Sequence, residues 1–214
     1  MMKNILWDLD GTLTDPKIGI LTSIRYALEG RGHPAPPLDD LVWCIGPPLT
    51  DSFALLVPSA DLSEIHALIA KYRERFSVTG LFENELIAGI PAVLEGLNDR
   101  RHYLATSKPH VFAKRILAHF NLTHFFTAIH GSELTGERSD KGDLIRHVLV
   151  TENLPPETCV MIGDRKHDIL GAKKVDVVSI GVLWGYGSHP ELTAAGAHRI
   201  VETPPELLSE LLTM

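Results

Sequence analysis

Asp8-Leu9-Asp10-Gly11-Thr12-Leu13-Thr14 follows directly on the apolar run Ile5-Leu6-Trp7. A buried strand should end here, and two carboxylates one residue apart stand at its end. Glycine comes next, the residue that lets a backbone turn sharply and approach a ligand closely. Alternation along a strand sends residues 8 and 10 to the same side. Like charges that close repel unless a cation lies between them. An all-oxygen donor set suits Mg²⁺, which takes one or two carboxylates, waters and a substrate phosphate. One of the carboxylates can instead act as a nucleophile and form an aspartyl-phosphate. Read alone, the stretch is equally compatible with a capping Asp beside a turn Asp.

Three later stretches extend this reading. Val160-Met161-Ile162 runs into Gly163-Asp164-Arg165-Lys166-His167-Asp168, again an apolar strand ending in Gly-Asp. Asp164 is placed to reach the same metal from a neighbouring strand end. Asp168, one turn into a helix, can orient a ligand water or a lysine, or complement the helix dipole. Tyr103-Leu104-Ala105 ends in Thr106-Ser107-Lys108-Pro109. The hydroxyls of Thr106 and Ser107 are donors for a phosphoryl oxygen, or an N-cap before Pro109. Lys141, in Ser139-Asp140-Lys141-Gly142-Asp143, stands at a helix start, where a cation is locally unfavourable. Either an anion meets it there or it is a solvated surface lysine.

The remaining pattern alternates strands and helices. Strands are expected at 4–8, 102–106, 125–130, 158–163, 176–183 and 198–202. Helices are expected at 90–100, 109–119, 141–150, 166–174 and 204–213. Such alternation implies an α/β fold, a mostly parallel sheet covered on both faces, with ligands at the carboxyl ends of the strands. Residues 15–80 show no strand pattern. Ile18, Leu21, Ile24 and Leu28 fall at helical spacing between Pro16 and Gly32, as do Ile65, Leu68, Ile69 and Tyr72 in 62–76. Short helical segments are expected near 38–44 and 49–56. This block reads as a second, all-helical domain inserted into a core made of 1–14 and 81–214.

These four motifs, in this order, resemble the haloacid dehalogenase superfamily of phosphohydrolases. The resemblance spans nearly the whole chain. It implies a Rossmann-like core with an inserted helical cap over residues 15–80. It also implies roles: Asp8 as nucleophile, Asp10 as general acid/base, and Thr106 and Lys141 as phosphate-binding groups. Asp164 is implied as a metal ligand with Asp168 as its acidic partner, so that Mg²⁺ is held among Asp8, Asp10, Asp164 and Asp168. Gly11, Thr12 and Ser107 are then substrate-binding. Asp10 argues against the dehalogenases, which lack an acid there, and against the phosphonate hydrolases, which carry a small residue. Overall resemblance is to phosphoglycolate phosphatase-like proteins. The segment from Asp10 to Pro48 is similar to a branch that hydrolyses nucleoside 5′-monophosphates, and a sugar-phosphate mutase shares the motifs.

Ile45-Gly46-Pro47-Pro48-Leu49 is similar to the cap loop that contacts substrate, though it also reads as a plain helix connection. Gly46, Pro47 and Arg73 are the cap contacts to expect, unless Arg73 lies on a solvated helix face. Gly185-Tyr186-Gly187-Ser188 lacks the glycine spacing of a dinucleotide fingerprint and reads as a tight turn. A signalling receiver domain also gathers carboxylates, Thr and Lys around Mg²⁺. It has neither a helical insertion after the first strand nor a late Gly-Asp-x-x-x-Asp. A catalytically silent relative would not need the full acidic set.

Composition fits a cytoplasmic enzyme, and the resemblance implies small phosphate esters as its substrates. The chain has 214 residues, 44% of them hydrophobic and 22% charged, enough for a core plus an insertion. A net charge of −7 and the lack of a basic run make nucleic acid and anionic membranes poor partners. The two cysteines, Cys44 and Cys159, form neither a disulfide framework nor a zinc pattern, and no two of the eleven histidines stand at i, i+3 or i, i+4. No apolar stretch has membrane-span length, and the first strand begins too early for a signal peptide. A monomer or weak homodimer is expected.

Overall fold

The computed structural model describes residues 2–214. The chain divides into two compact units, one formed by the chain up to Asp15 together with Leu86–Met214, the other by Pro16–Glu85.

The first unit is built on six strands: β1 (Asn4–Trp7), β4 (Arg101–Pro109), β5 (Phe126–Ser132), β6 (Cys159–Gly163), β7 (Val178–Val182) and β8 (Arg199–Val201). Two short strands, β2 (Thr14–Asp15) and β3 (Glu85–Leu86), lie where the chain leaves and re-enters this unit. The sheet order is β5-β4-β1-β6-β7-β8 and every pairing is parallel. β1 is central, and all four of its residues are buried, as a strand covered on both faces requires. From β1 the chain winds outward through β4 and β5, then returns to the other side of β1 with β6. The direction of winding therefore reverses beside β1, and such a switch point opens a crevice at the carboxyl ends of the strands.

The helices of this unit are α4 (Ile90–Gly96), α5 (His110–His119), α6 (Lys141–Thr151), α7 (Lys166–Lys173), α8 (His189–Ala195) and α9 (Pro204–Thr213). Strand alternation sorts the core. Leu6, Tyr103, Ala105, Cys159 and Met161 pack with Ile145, Val148 and Leu149 of α6 and Ala172 of α7. Ile5, Trp7, Leu104, Val160 and Ile162 alternate with them toward the opposite face and are fully buried. Each large aliphatic side chain so buried contributes about 1.5–3 kcal/mol. Asp140, Ser188 and Thr203 cap α6, α8 and α9 by accepting from backbone N–H groups. Helix α8 was not foreseen: Ser188, expected in a tight turn, is its N-cap.

The second unit contains α1 (Lys17–Gly30), a 3₁₀ segment Leu38–Cys44, α2 (Leu49–Leu56) and α3 (Leu62–Arg75), closed by a π turn over Phe76–Gly80. Leu21, Ile24 and Leu28 of α1 and Leu68 and Tyr72 of α3 are buried. A side chain at Gly19 would meet the carbonyl of Gly80 at 1.9 Å, so glycine is what permits this close backbone approach. Arg75 closes the unit with a two-pronged bond to Glu83, at 2.7 and 2.8 Å. Among the described residues no helix is long and apolar enough to cross a membrane. Both cysteines are free and buried.

Candidate active site at the carboxyl ends of the central strands

β1 and β6 end within a residue of one another while β4 runs on beside them: Trp7 is in register with Leu104 and Ile162. The residues that follow therefore emerge side by side. The backbone N–H of Asp8 still bonds the Ile162 carbonyl at 2.9 Å. Asp8, Asp164 and Asp168 each present a carboxylate oxygen within 4.8 Å of the other two. Their exposures of 7%, 0% and 1% put all three out of water.

Lys141, the first residue of α6, reaches into this cluster. Its Nζ donates to Asp8 Oδ1 at 2.8 Å and to the Ala105 carbonyl at 3.0 Å, and lies 2.8 Å from Asp168 Oδ1. Burial by itself would lower its proton affinity. Asp168 and Asp8 reverse that and hold the ammonium above its ordinary pKa, so it stays charged. Asp164 receives two neutral donors, Thr12 Oγ1 at 3.3 Å and the Tyr186 backbone N–H at 2.7 Å. Burial, then repulsion from Asp168 and Asp8, pushes its carboxyl well above the usual carboxylate range. Burial also raises Asp168, to about 6, against the opposing pull of Lys141. One ammonium facing three buried carboxylates leaves a net negative, oxygen-only pocket. That donor set fits a hard divalent cation.

Asp10 is not part of this cluster. Strand β1 ends at Trp7, so alternation no longer governs the direction of residue 10. The backbone turns at Gly11, whose φ is +81°. The Asp10 carboxylate points instead to Lys108, Oδ2 to Nζ at 2.8 Å. The Asp10 carboxylate, expected among the metal-binding acids, thus lies outside the three-carboxylate group, although it still feels the charges of Asp8 and Lys141. Gly11 is obligatory for a second reason: a Cβ there would lie 2.3 Å from Asp164 Oδ2. Thr12, which donates to Asp164, and Thr106, at the end of the paired stretch of β4, are buried, at 0% and 1% exposure. Ser107 caps no helix, since Pro109 holds that position, and its Oγ donates to the Ser139 carbonyl at 3.1 Å. Gly46, Pro47 and Arg73 belong to the second unit. Gly46 has φ +107°, and Arg73 is half-buried in α3, where burial lowers its pKa.

Two contributors escaped the sequence reading. Lys108 sits within the quoted strand end, and a lysine two residues past a buried threonine was the available signal. The loop after β7 is the other. Tyr186 gives its N–H to Asp164 and its phenol to Asp15, while Trp184 Nε1 donates to the Thr12 carbonyl at 3.0 Å. The signal was the Gly-Tyr-Gly spacing. A Cβ at Gly185 would lie 2.4 Å from both Cβ and Oδ2 of Asp164.

Comparison with known proteins agrees with this geometry. The model of the haloacid dehalogenase-like hydrolases matches residues 5–182. A 5′-nucleotidase of Pseudomonas aeruginosa is 51% identical over 193 residues, 89% of this chain and 87% of that protein. A phosphoglycolate phosphatase of Vibrio parahaemolyticus is 28% identical over 221 residues, covering 97% and 95%. The crystal structure of a predicted phosphatase from Clostridium acetobutylicum superimposes with a TM-score of 0.96 at 41% identity, over 100% of both chains. With its parallel sheet and the acids at its strand ends, the chain belongs to the haloacid dehalogenase-like hydrolases and is a phosphoric monoester hydrolase.

Proposed function

We propose that this phosphatase is a Mg²⁺-dependent nucleoside 5′-monophosphatase that works through an aspartyl-phosphate on Asp8. The observation that carries the mechanism is Asp8 itself. It stands at the end of the central strand, held by Lys141 at 2.8 Å and grouped with two further buried carboxylates. The substrate class is supported by likeness to the Pseudomonas 5′-nucleotidase, 51% against 28% for the phosphoglycolate phosphatase. This reverses the order expected from overall resemblance, which put phosphoglycolate first; the motifs themselves see only the phosphoryl group.

Asp8, Asp164 and Asp168 would hold the cation, whose chemistry is to neutralise charge on the phosphoryl oxygens. An oxygen of Asp8 attacks phosphorus as the bond to the ester oxygen breaks, and Asp10 in its acid form gives that oxygen its proton. Asp10 then takes a proton from water. The water oxygen bonds phosphorus, the Asp8–phosphorus bond breaks, and inorganic phosphate leaves. Lys141, Thr106 and backbone N–H groups after Asp8 stabilise the equatorial oxygens. The helical unit acts as the cap: it excludes water during transfer, and through Gly46, Pro47 and Arg73 it reads the leaving group. The test is a substrate panel. Nucleoside 5′-monophosphates should have the highest kcat/KM, above phosphoglycolate and sugar phosphates. A panel led by phosphoglycolate would return the phosphoglycolate phosphatase reading.

A further inference from the structure

We infer that Lys108 is the positioning residue of the acid/base carboxylate: it holds Oδ2 of Asp10 and leaves Oδ1 as the atom that carries the proton. The inference deepens the proposed function and rests on its assignment of Asp10.

The backbone explains why a lysine is here. Pairing between β4 and β5 skips from Thr106↔Gly131 to Pro109↔Ser132, so Ser107 and Lys108 sit in a bulge. Bulges re-aim side chains at the ends of strands. This one is anchored from three sides. Ser132 Oγ donates to the Ser107 carbonyl at 2.7 Å, Ser107 Oγ donates to the Ser139 carbonyl at 3.1 Å, and the Lys108 N–H reaches Thr106 Oγ1 at 3.3 Å. Gly131 makes room for it: a Cβ there would lie 2.5 Å from the Lys108 carbonyl. The Lys108 side chain is then carried inward to 6% exposure, with its ammonium 2.8 Å from Asp10 Oδ2.

The two oxygens of Asp10 are thus unequal. Oδ2 is occupied by an ammonium. Oδ1 is buried with no hydrogen-bond partner among the described residues. A buried polar atom without a partner is costly and calls for an explanation. A proton-transferring oxygen must be free to meet the ester oxygen and then the water, so an oxygen kept vacant beside a fixed one serves both half-reactions. A carboxylate held at one oxygen cannot rotate away between them.

The experiment separates positioning from mere structure through the leaving group. Release of the leaving group in the first turnover is followed by rapid quench for a nucleoside 5′-monophosphate and for 2,4-dinitrophenyl phosphate, whose leaving group needs no proton. Asp10→Asn is the reference. It should slow release of the nucleoside by about 100-fold or more and barely alter release of dinitrophenol. Lys108→Met should show the same contrast at about 10-fold or more, with KM little changed. Lys108→Arg should recover part of the loss. Equal slowing of both substrates by Lys108→Met would show that Lys108 binds the phosphoryl group or only supports the fold, and would overturn the inference. So would no slowing of either while Asp10→Asn shows the contrast. If Asp10→Asn itself lacks the contrast, the assignment of Asp10 fails and the inference fails with it. Should Lys108→Met not fold, Lys108→Gln is read by the same criteria.

Discussion

Lys141 and Asp168 form a buried ion pair, Nζ to Oδ1 at 2.8 Å, that ties the first turn of α6 to the first turn of α7. The same ammonium holds Asp8, so one cation joins the central strand to two helices. Removing it would leave two carboxylates buried against each other. Lys141→Met should cost about 3–5 kcal/mol in urea unfolding, along with activity. Adding Asp168→Asn should return part of that stability, since one of the stranded charges is then gone. Strict additivity in the double-mutant cycle would show that the two residues are not coupled.

Asp8→Asn keeps the shape of the side chain but removes the proposed nucleophile and one charge of the acidic cluster. The variant should remain folded by circular dichroism and lose more than about 10³-fold in turnover. Substantial single-turnover activity in the folded variant would refute covalent catalysis by Asp8.

Chelation should abolish activity, and Mg²⁺ should restore it. Ca²⁺ should not, because its larger and looser coordination misplaces an in-line reaction. Gly185→Ala provides a structural version of the same test, since its methyl would press on Asp164. It should raise the Mg²⁺ concentration needed for half-maximal activity by about 10-fold or more. An unchanged Mg²⁺ titration would argue that Asp164 is not a ligand.

His102 gives a pH prediction away from the site. Trp7 Nε1 donates to its Nδ1 at 2.9 Å, so Nε2 carries the proton toward the Leu97 carbonyl at 3.1 Å. Burial lowers its pKa, only partly offset by the bond to Leu97. A group depressed in the folded state contributes stability above its unfolded pKa of about 6.5, and that stability is lost as pH falls through the folded value. Protonation would also set an N–H against the indole donor. Unfolding free energy should therefore fall less steeply below pH 6.5 in His102→Gln than in the native protein. The difference in slope can reach about 1.4 kcal/mol per pH unit. Parallel pH profiles in urea titrations would refute it.

The proposal that Arg73 of the helical unit reads the leaving group is tested by a substrate panel. Arg73→Ala should change the ranking of kcat/KM among nucleotides, phosphoglycolate and sugar phosphates while sparing a generic aryl phosphate. A buried contact to a polar leaving group is worth about 1.5–3 kcal/mol, or about one to two decades in rate. Equal effects on every substrate would mark Arg73 as structural.

Much of the molecule was legible along the chain because its signals are local. Ile5-Leu6-Trp7 and Val160-Met161-Ile162 read as buried strands from their apolar runs, and both form central strands. Lys141 at a helix start left open an anion partner or a solvated surface, and two buried carboxylates meet it. Helix α8 was hidden because its seven residues, His189–Ala195, carry little periodic signal. The pattern of apolar runs, glycines and acids therefore determined the α/β architecture and the strand ends where chemistry would gather. Tertiary structure decided which side chains meet there. Once the backbone leaves β1, alternation no longer aims Asp10, and a lysine from a bulge on β4 takes its carboxylate while Asp168 joins Asp8 and Asp164. Partners such as Lys108 and Tyr186 lie on distant segments, and only the packing of strand ends against one another brings their few donors within bonding range.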